Sequence, residues 1–239
     1  MPKIVVLTGA GISAESGIPT FRGSDGLWEG HAIEKVASLE GFSSNPDLVY
    51  EFYNQRRRQL LSQEIFPNAA HQALANWEQT LPPGDLLVVT QNVDNLHERA
   101  GSKKVIHMHG ELLKARCVDT GEVFDWPYDL TRDTPHPRAT KRLGRLRPHI
   151  VWFGETPLHM NEILEAVRHC DWFIAIGTSG KVYPAANLVD ATPSFCRRVL
   201  INLDASDNSD DFQEIRLGAA SIEVPKFIRS CEVVSTDRC

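Results

Sequence analysis

The chain lacks a C-x-x-C pair, and its five cysteines, Cys117, Cys170, Cys196, Cys231 and Cys239, are scattered and odd in number. That pattern argues against a disulfide framework and a metal ribbon, and it fits reduced thiols in a cytoplasm. No apolar run approaches the ~18 residues that a membrane span needs, and the first strand candidate begins by residue 4, leaving no room for a signal or transit peptide. A cytoplasmic protein with no membrane partner is expected. Positive charge is not in excess either: the formal net charge is -6, which argues against a nucleic-acid footprint. Internal repeats and low-complexity tracts are missing. What is present is an ordinary globular composition, 42% hydrophobic and 23% charged over 239 residues, enough for one large domain or a large and a small one.

Short aliphatic and β-branched runs supply strand candidates at 4–7, 86–90, 105–108, 149–153, 172–176 and 199–203. Helical patterns lie between them at 46–61, 69–80, 94–100, 161–169 and 210–217. This alternation predicts an α/β fold, a Rossmann-like parallel sheet with helices on both faces. Two segments break the rhythm: a helical insertion at about 31–68, and a stretch at about 113–147 rich in Pro, Arg, Asp and Thr. Both are expected in a smaller lobe, leaving 1–30, 69–112 and 148–239 for the dinucleotide-binding domain. Ligands of such sheets sit at the carboxyl ends of the strands. Polar motifs fall there: Gly9, Gln91-Asn92-Val93-Asp94, His109-Gly110, Gly154-Glu155, Gly177-Thr178-Ser179 and Asn202-Leu203-Asp204.

Gly9, Gly11 and Ala14 follow the first strand candidate without a spacer and fit the pattern G-x-G-x-x-G/A. In that pattern the first glycine permits a tight turn, the second admits a pyrophosphate against bare backbone, and the third small residue lets helix pack on strand. Helix N-terminal amides would face the phosphates. No strand ending in an acidic residue follows about 20 residues later, as a conventional dehydrogenase would want.

Several further motifs stand in order with these glycines: Pro19-Thr20-Phe21-Arg22, Thr90-Gln91-Asn92-Val93-Asp94-Asn95-Leu96-His97, His107-Met108-His109-Gly110, Val151-Trp152-Phe153-Gly154-Glu155 and Gly177-Thr178-Ser179. Over nearly its whole length the chain resembles the sirtuins, NAD-dependent protein-lysine deacylases. The resemblance implies that NAD is consumed, giving nicotinamide, O-acyl-ADP-ribose and free lysine, and that the partners are acyl-lysine proteins or peptides, met by a monomer. It assigns His109 as the general base toward a ribose hydroxyl, a task suited to an imidazole, with Asn92 and Asp94 completing the catalytic set. His107 is read as a decoy, and His71 and His97 as structural. Asp94 also has a plain alternative as a helix N-cap.

The same resemblance implies NAD contacts from Gly9, Ala10, Gly11, Ile12, Ala14, Glu15, Thr20 and Trp28, from Gln91, Asn92, Val93 and Asp94, from Gly177, Thr178 and Ser179, and from Asn202, Leu203, Asp204 and Ala220. Phe21 and Arg22 belong to a segment that folds over NAD. Val151, Phe153, Gly154, Glu155 and Val182 resemble the edges between which substrate backbone pairs as an added strand.

Tyr53 and Arg56 lie three apart, hence on one helix face, and resemble the Tyr-x-x-Arg of sirtuins that remove dicarboxylic acyl groups. A planar guanidinium and a hydroxyl would give succinyl-lysine a charge-assisted contact that acetyl-lysine cannot make. The plain alternative is a solvated basic face of three consecutive arginines.

Most sirtuins carry a four-cysteine zinc module. Here Thr120 stands where the partner of Cys117 would be, and no cysteine lies between Cys117 and Cys170, so no zinc is expected and the small lobe should be held by packing alone. His136 and nearby aspartates are what remains for an improvised site. Two competing functions stay open: mono-ADP-ribosylation of a protein, which the same NAD cleavage could feed, and a non-catalytic NAD-sensing module.

Overall fold

The computed structural model describes residues 2–20, 27–28, 30–206 and 208–236. The chain folds as two compact units, one of Met1–Thr20, Phe66–Met108 and His159–Cys239, the other of Phe21–Ile65 and His109–Leu158. Residues 109–112 and 148–158, assigned from the sequence to the larger domain, thus group with the smaller one.

The larger unit is built on six parallel strands in the spatial order Glu214–Leu217, Arg197–Asn202, Trp172–Ile176, Ile4–Thr8, Leu86–Thr90 and Val105–His107. The strands Ile4–Thr8 and Leu86–Thr90 are buried at every position, as expected for a parallel sheet covered on both faces. Alternate side chains feed two cores. Val5, Leu7, Val89 and Phe173 pack with Ile163 and Val167 of the Met160–Arg168 helix and with Leu188 of the Ala185–Ala191 3-10 helix. Ile4, Val6, Val88 and Ile174 pack with Leu74 and Trp77 of the Ala69–Thr80 helix and with Val224 and Phe227 of the Ala220–Thr236 helix. The two-residue period of a strand thus produces the two covered faces.

The helix expected at 210–217 is instead a 3-10 turn, Ser209–Asp211, followed by the edge strand Glu214–Leu217. Its Glu-Ile-Arg-Leu alternation has period two, and Ile215 and Leu217 face solvent. The helix after it, Ala220–Thr236, carries Pro225 within it, which hid its helical pattern.

The smaller unit holds the Pro46–Leu60 helix, started by Asn45, whose side chain accepts from the Leu48 amide, and by Pro46 at the first turn. It also holds a three-stranded antiparallel sheet in the order Leu146–Ile150, Gly110–Cys117, Val123–Asp125. The strand expected at 149–153 is therefore Leu146–Ile150 and belongs to this sheet. An aliphatic run carries no mark of parallel or antiparallel pairing. Cys117 is buried with Tyr50, Ala115, Leu130 and Leu146. Among the described residues no group of three or more His, Cys, Asp or Glu is placed to hold a metal ion, and no helix is long and apolar enough to cross a membrane.

Candidate functional site

The strand order makes the gap between Ile4–Thr8 and Trp172–Ile176 the point where the chain reverses its direction of winding, and such sheets bind ligands at the carboxyl ends of the strands there. Gly9 and Gly177 stand at that point. The Gly9 amide donates to the Ile176 carbonyl at 2.9 Å, and Gly11 to the Gly177 carbonyl at 2.9 Å. A Cβ on Gly9 would lie 2.6 Å from the Gly177 carbonyl oxygen, and one on Gly11 would lie 2.7 Å from the Gly177 Cα. The glycines are thus required by the contact of one loop with the other, and only Gly177 of the three has a positive φ, 62°. The Ile12 and Ser13 amides donate to Gly9 and Ala10 carbonyls. So the amides of Gly9, Gly11, Ile12 and Ser13 all serve the one-turn helix and its loop, and the row of phosphate-facing amides expected there is not seen in those four.

Around this turn the expected ligand residues divide. Gln91 Nε2 donates to Thr178 Oγ1 at 3.1 Å, and Asn202 Nδ2 to the Thr178 carbonyl at 3.0 Å, so three strand ends are tied together. Ala10 and Val93 are half-buried, and Ala14, Thr20, Ser179, Leu203 and Asp204 are exposed. Ile12 and Ala220 are core residues. The exposed Glu15 takes both the Ser221 amide and hydroxyl, at 3.0 and 2.6 Å, and thereby caps the Ala220–Thr236 helix. Phe21 and Arg22 lie outside the described residues. Trp28 pairs through its backbone with His31.

Asn92 and Asp94 are joined by a residue that the sequence reading did not single out. Ser13, 1% exposed, donates its hydroxyl to Asp94 Oδ2 at 3.0 Å and accepts from Asn92 Nδ2 at 3.1 Å. Asn92 Nδ2 also donates to the Gly9 carbonyl at 3.0 Å. The other carboxylate oxygen of Asp94 accepts from the Leu96 amide at 3.1 Å, so Asp94 both ties down the first amide of the Leu96–Ala100 helix, whose N-cap is Asn95, and joins the network. Burial raises its carboxyl above the usual range, against the hydrogen bonds from Leu96 and Ser13. Ser13 is the fifth residue of the Gly9-Ala10-Gly11-Ile12-Ser13 run, and its small hydroxyl at a turn was the available signal.

The histidines separate clearly. His107 is buried, with Nε2 2.7 Å from Glu98 Oε1 and Nδ1 3.2 Å from the Asn92 carbonyl. His97 bonds Thr8 Oγ1 at 3.1 Å and meets His71 edge to face at 4.9 Å. Burial lowers His71 to about 4 and His97 well below the ordinary value. His109 opens the second segment of the smaller unit, half-buried in a turn, where its carbonyl accepts from the Val151 amide at 2.9 Å. Gly110 follows with φ 85°, and a Cβ there would stand 2.1 Å from the His149 carbonyl, so the His-Gly step is sterically fixed.

The smaller unit places the proposed substrate residues around one buried cluster. Glu155 accepts from Arg116 Nη2 at 2.6 Å, from both terminal nitrogens of Arg147 at 2.9 Å, and from the Trp152 amide at 2.9 Å. Burial opposes its charge, but the bonds from Arg147 and Trp152 prevail and hold the carboxyl below the usual range. The carboxylate is spent on shaping the Val151–Glu155 turn, and the lobe is held by ion pairs as well as by packing. Phe153 is 47% exposed while its amide donates to the Ala37 carbonyl at 3.0 Å. Gly154 has φ 88° with open space at its missing Cβ. Tyr53 is fully buried, and its hydroxyl oxygen accepts from Trp152 Nε1 at 2.9 Å. Arg56 stacks 3.5 Å over Phe52 and bonds the Phe52 carbonyl at 2.7 Å. Val182 belongs to the larger unit and is half-buried.

Comparison with known proteins gives a consistent result. Residues 9–184 match the Sir2 family. The chain is 58% identical over 232 residues to an NAD-dependent protein deacylase of Rhodopirellula baltica, covering 95% of this chain and 97% of that one. It is 57% identical over 228 residues to a protein of the same name from Pasteurella multocida, covering 95% and 96%. A solved Sir2 homolog–NAD complex matches with a TM-score of 0.85 and 36% identity, covering 97% of this chain and 90% of that one. The expected α/β architecture and the resemblance drawn from the motifs agree with these matches, and the chain belongs to the Sir2 family.

Proposed function

We propose that this protein, an NAD-dependent protein deacylase, removes both acetyl and succinyl groups from lysine side chains, and that Tyr53 and Arg56 give the succinyl group its foothold. The observation that carries the NAD half of this reading is the Ser13–Asn92–Asp94 network at the carboxyl end of the Leu86–Thr90 strand. Amides, hydroxyls and a buried carboxyl suit a carboxamide and ribose hydroxyls, so the donor set fits NAD. Asn92 and Asp94 hold the nicotinamide and its ribose, with Gln91 and Val93 beside them. Gly9, Gly11 and Gly177 hold the two loops together at the strand ends where the pyrophosphate is bound, and Thr178, Ser179, Asn202 and Asp204 serve the adenosine half.

When bound, NAD supplies the ADP-ribosyl group that accepts the acyl group as nicotinamide leaves. Ser13 fixes the rotamers of Asn92 and Asp94 before substrate arrives, which removes that ordering from the reaction step. His109 takes the proton of a ribose hydroxyl at its imidazole. Val151, Phe153, Gly154 and Val182 meet the peptide backbone and the lysine stem, so selectivity for neighbouring sequence is loose. Glu155 acts as a positioning residue for that segment. Arg56 offers its guanidinium to the succinyl carboxylate, worth roughly 1.5–3 kcal/mol.

The test is incubation with NAD and a succinyl-lysine peptide, following nicotinamide release and the appearance of acylated ADP-ribose. Both are expected. Absence of nicotinamide release with succinyl-lysine and acetyl-lysine peptides alike overturns the reading.

A further inference from the structure

Trp152 stands in the smaller unit with no task in the reading above. Its ring is 1% exposed, and three contacts fix it. Its amide donates to Glu155 Oε2 at 2.9 Å, the Arg147 guanidinium lies 3.3 Å from its ring centroid, and Phe42 packs at 5.2 Å between centroids. Arg147 is itself held by both oxygens of Glu155. A cation seated on an aromatic face and anchored by a carboxylate is a rigid arrangement. The indole therefore has one orientation, and its N–H ends 2.9 Å from the Tyr53 hydroxyl.

An indole nitrogen is a donor only, whereas a phenol has one hydrogen to give and lone pairs to accept with. In the Trp152–Tyr53 bond the phenol oxygen must be the acceptor, so the Tyr53 hydrogen is directed away from the indole. We propose that Trp152 is a specificity-determining residue: by occupying the accepting side of the Tyr53 hydroxyl, it commits that hydroxyl to donate, and so favours an acyl group ending in a carboxylate. This deepens the reading that Tyr53 and Arg56 receive a dicarboxylic acyl group and rests on it. A hydroxyl left to rotate can turn a lone pair toward the arriving carboxylate, which repels it. One with a lone pair already filled by an N–H turns its hydrogen to the other side. Burial pushes the Tyr53 phenol well above its ordinary range, which keeps that hydrogen in place. The terminal methyl of an acetyl group offers nothing to accept it. Trp152 thus acts through Tyr53 on the succinyl substrate and has no equivalent handle on the acetyl one.

The test replaces the N–H and keeps the ring. Trp152→Phe leaves an aromatic face for Arg147 and deletes the donor. On one preparation, kcat/KM is measured for succinyl-lysine and acetyl-lysine peptides of identical sequence, and the ratio of the two cancels any loss of folded protein. The ratio is expected to fall about fivefold to tenfold, the size of one buried hydrogen bond, mainly through a higher KM for the succinyl peptide. In a Tyr53→Phe background the same change is expected to leave the ratio where Tyr53→Phe alone put it, because the two act as one unit. Should Trp152→Phe not fold, a benzothienylalanine at position 152 replaces the ring N–H by sulfur at nearly the same shape, with the same expected fall. An unchanged ratio in the single variant, or a further fall in the Tyr53→Phe background, overturns the proposal while leaving the Tyr53–Arg56 reading intact. If Tyr53→Phe and Arg56→Met both leave the ratio at the wild-type value, that reading fails and the Trp152 proposal falls with it.

Discussion

In the larger unit the important side chains are short, and strand geometry brings them together; in the smaller unit they are long, and they reach one another across the lobe. Ser13, Asn92 and Asp94 sit in two turns after adjacent parallel strands and need only one or two rotamers each to meet. Arg116, Arg147, Trp152, Glu155 and Tyr53 come from a helix, two strands and a turn, and they meet through a guanidinium and an indole. The difference is one of chemistry as well as of reach. The first set joins one hydroxyl, one amide and one carboxyl, suited to a ligand's amide and hydroxyl groups. The second is charged and aromatic, suited to hold a shape against the cost of burying ions. It follows that substitutions in the first set should damage all acyl substrates alike, and that substitutions at Tyr53, Arg56 and Trp152 should separate them.

The largest effect is expected at His109. His109→Tyr should lower turnover on acetyl and succinyl peptides by about 10²–10⁴-fold, the usual weight of a general base. Nicotinamide release at the wild-type rate from this variant would remove His109 from the chemistry. Next in size is an acid-side loss of stability. Burial lowers His71 in the larger unit and His149 in the smaller one to about 4, so between that value and the ordinary 6.5 the unfolded chain binds the extra protons. The stability due to these groups is complete above about pH 6.5 and is lost as pH falls toward 4. For His71 this amounts to about 3 kcal/mol. Denaturant unfolding of His71→Leu between pH 7 and 4 should show that much less acid destabilisation than wild type; an unaltered pH slope would mean that His71 is not the group responsible.

Arg56→Met should depress kcat/KM for succinyl peptide roughly ten- to a hundredfold more than for acetyl peptide. Equal losses would erase the contrast between the two regions at this position. The smallest effect is expected of Ser13→Ala, about 1 kcal/mol in stability from the broken network, with kcat/KM falling by the same factor for both peptides. A loss confined to one of the two peptides would show that Ser13 does more than hold Asn92 and Asp94.

The same contrast explains what could be read in advance. Gly9 to Ser13 and Gln91 to Asp94 are contiguous and follow continuous aliphatic runs, so the ends of those runs locate them without three-dimensional knowledge. Tyr53 and Arg56, three residues apart, do share a helix as their spacing predicts. Trp152 was passed over because its partner is 99 residues away, and no period links an indole to a phenol across that span. Glu155 stood in the right motif, but its four donors come mostly from Arg116 and Arg147 on strands that no local signal pairs with it. The strand at 149–153 and the helix at 210–217 failed differently: in both, a short apolar pattern was legible and its sheet partner was not.

The contact of Gly9 and Gly11 with Gly177 limits how this fold can be re-engineered. The nearest atoms that a Cβ would strike are backbone on both sides, and a Cβ on Gly177 would in turn lie 2.4 Å from the Ile12 nitrogen, so no compensating side-chain change can relieve a substitution. The two loops are a single interchangeable part. A chimera that imports one of them from another dinucleotide-binding protein must import its counterpart 168 residues along as well, or the strands at the centre of the sheet will be forced apart at their carboxyl ends.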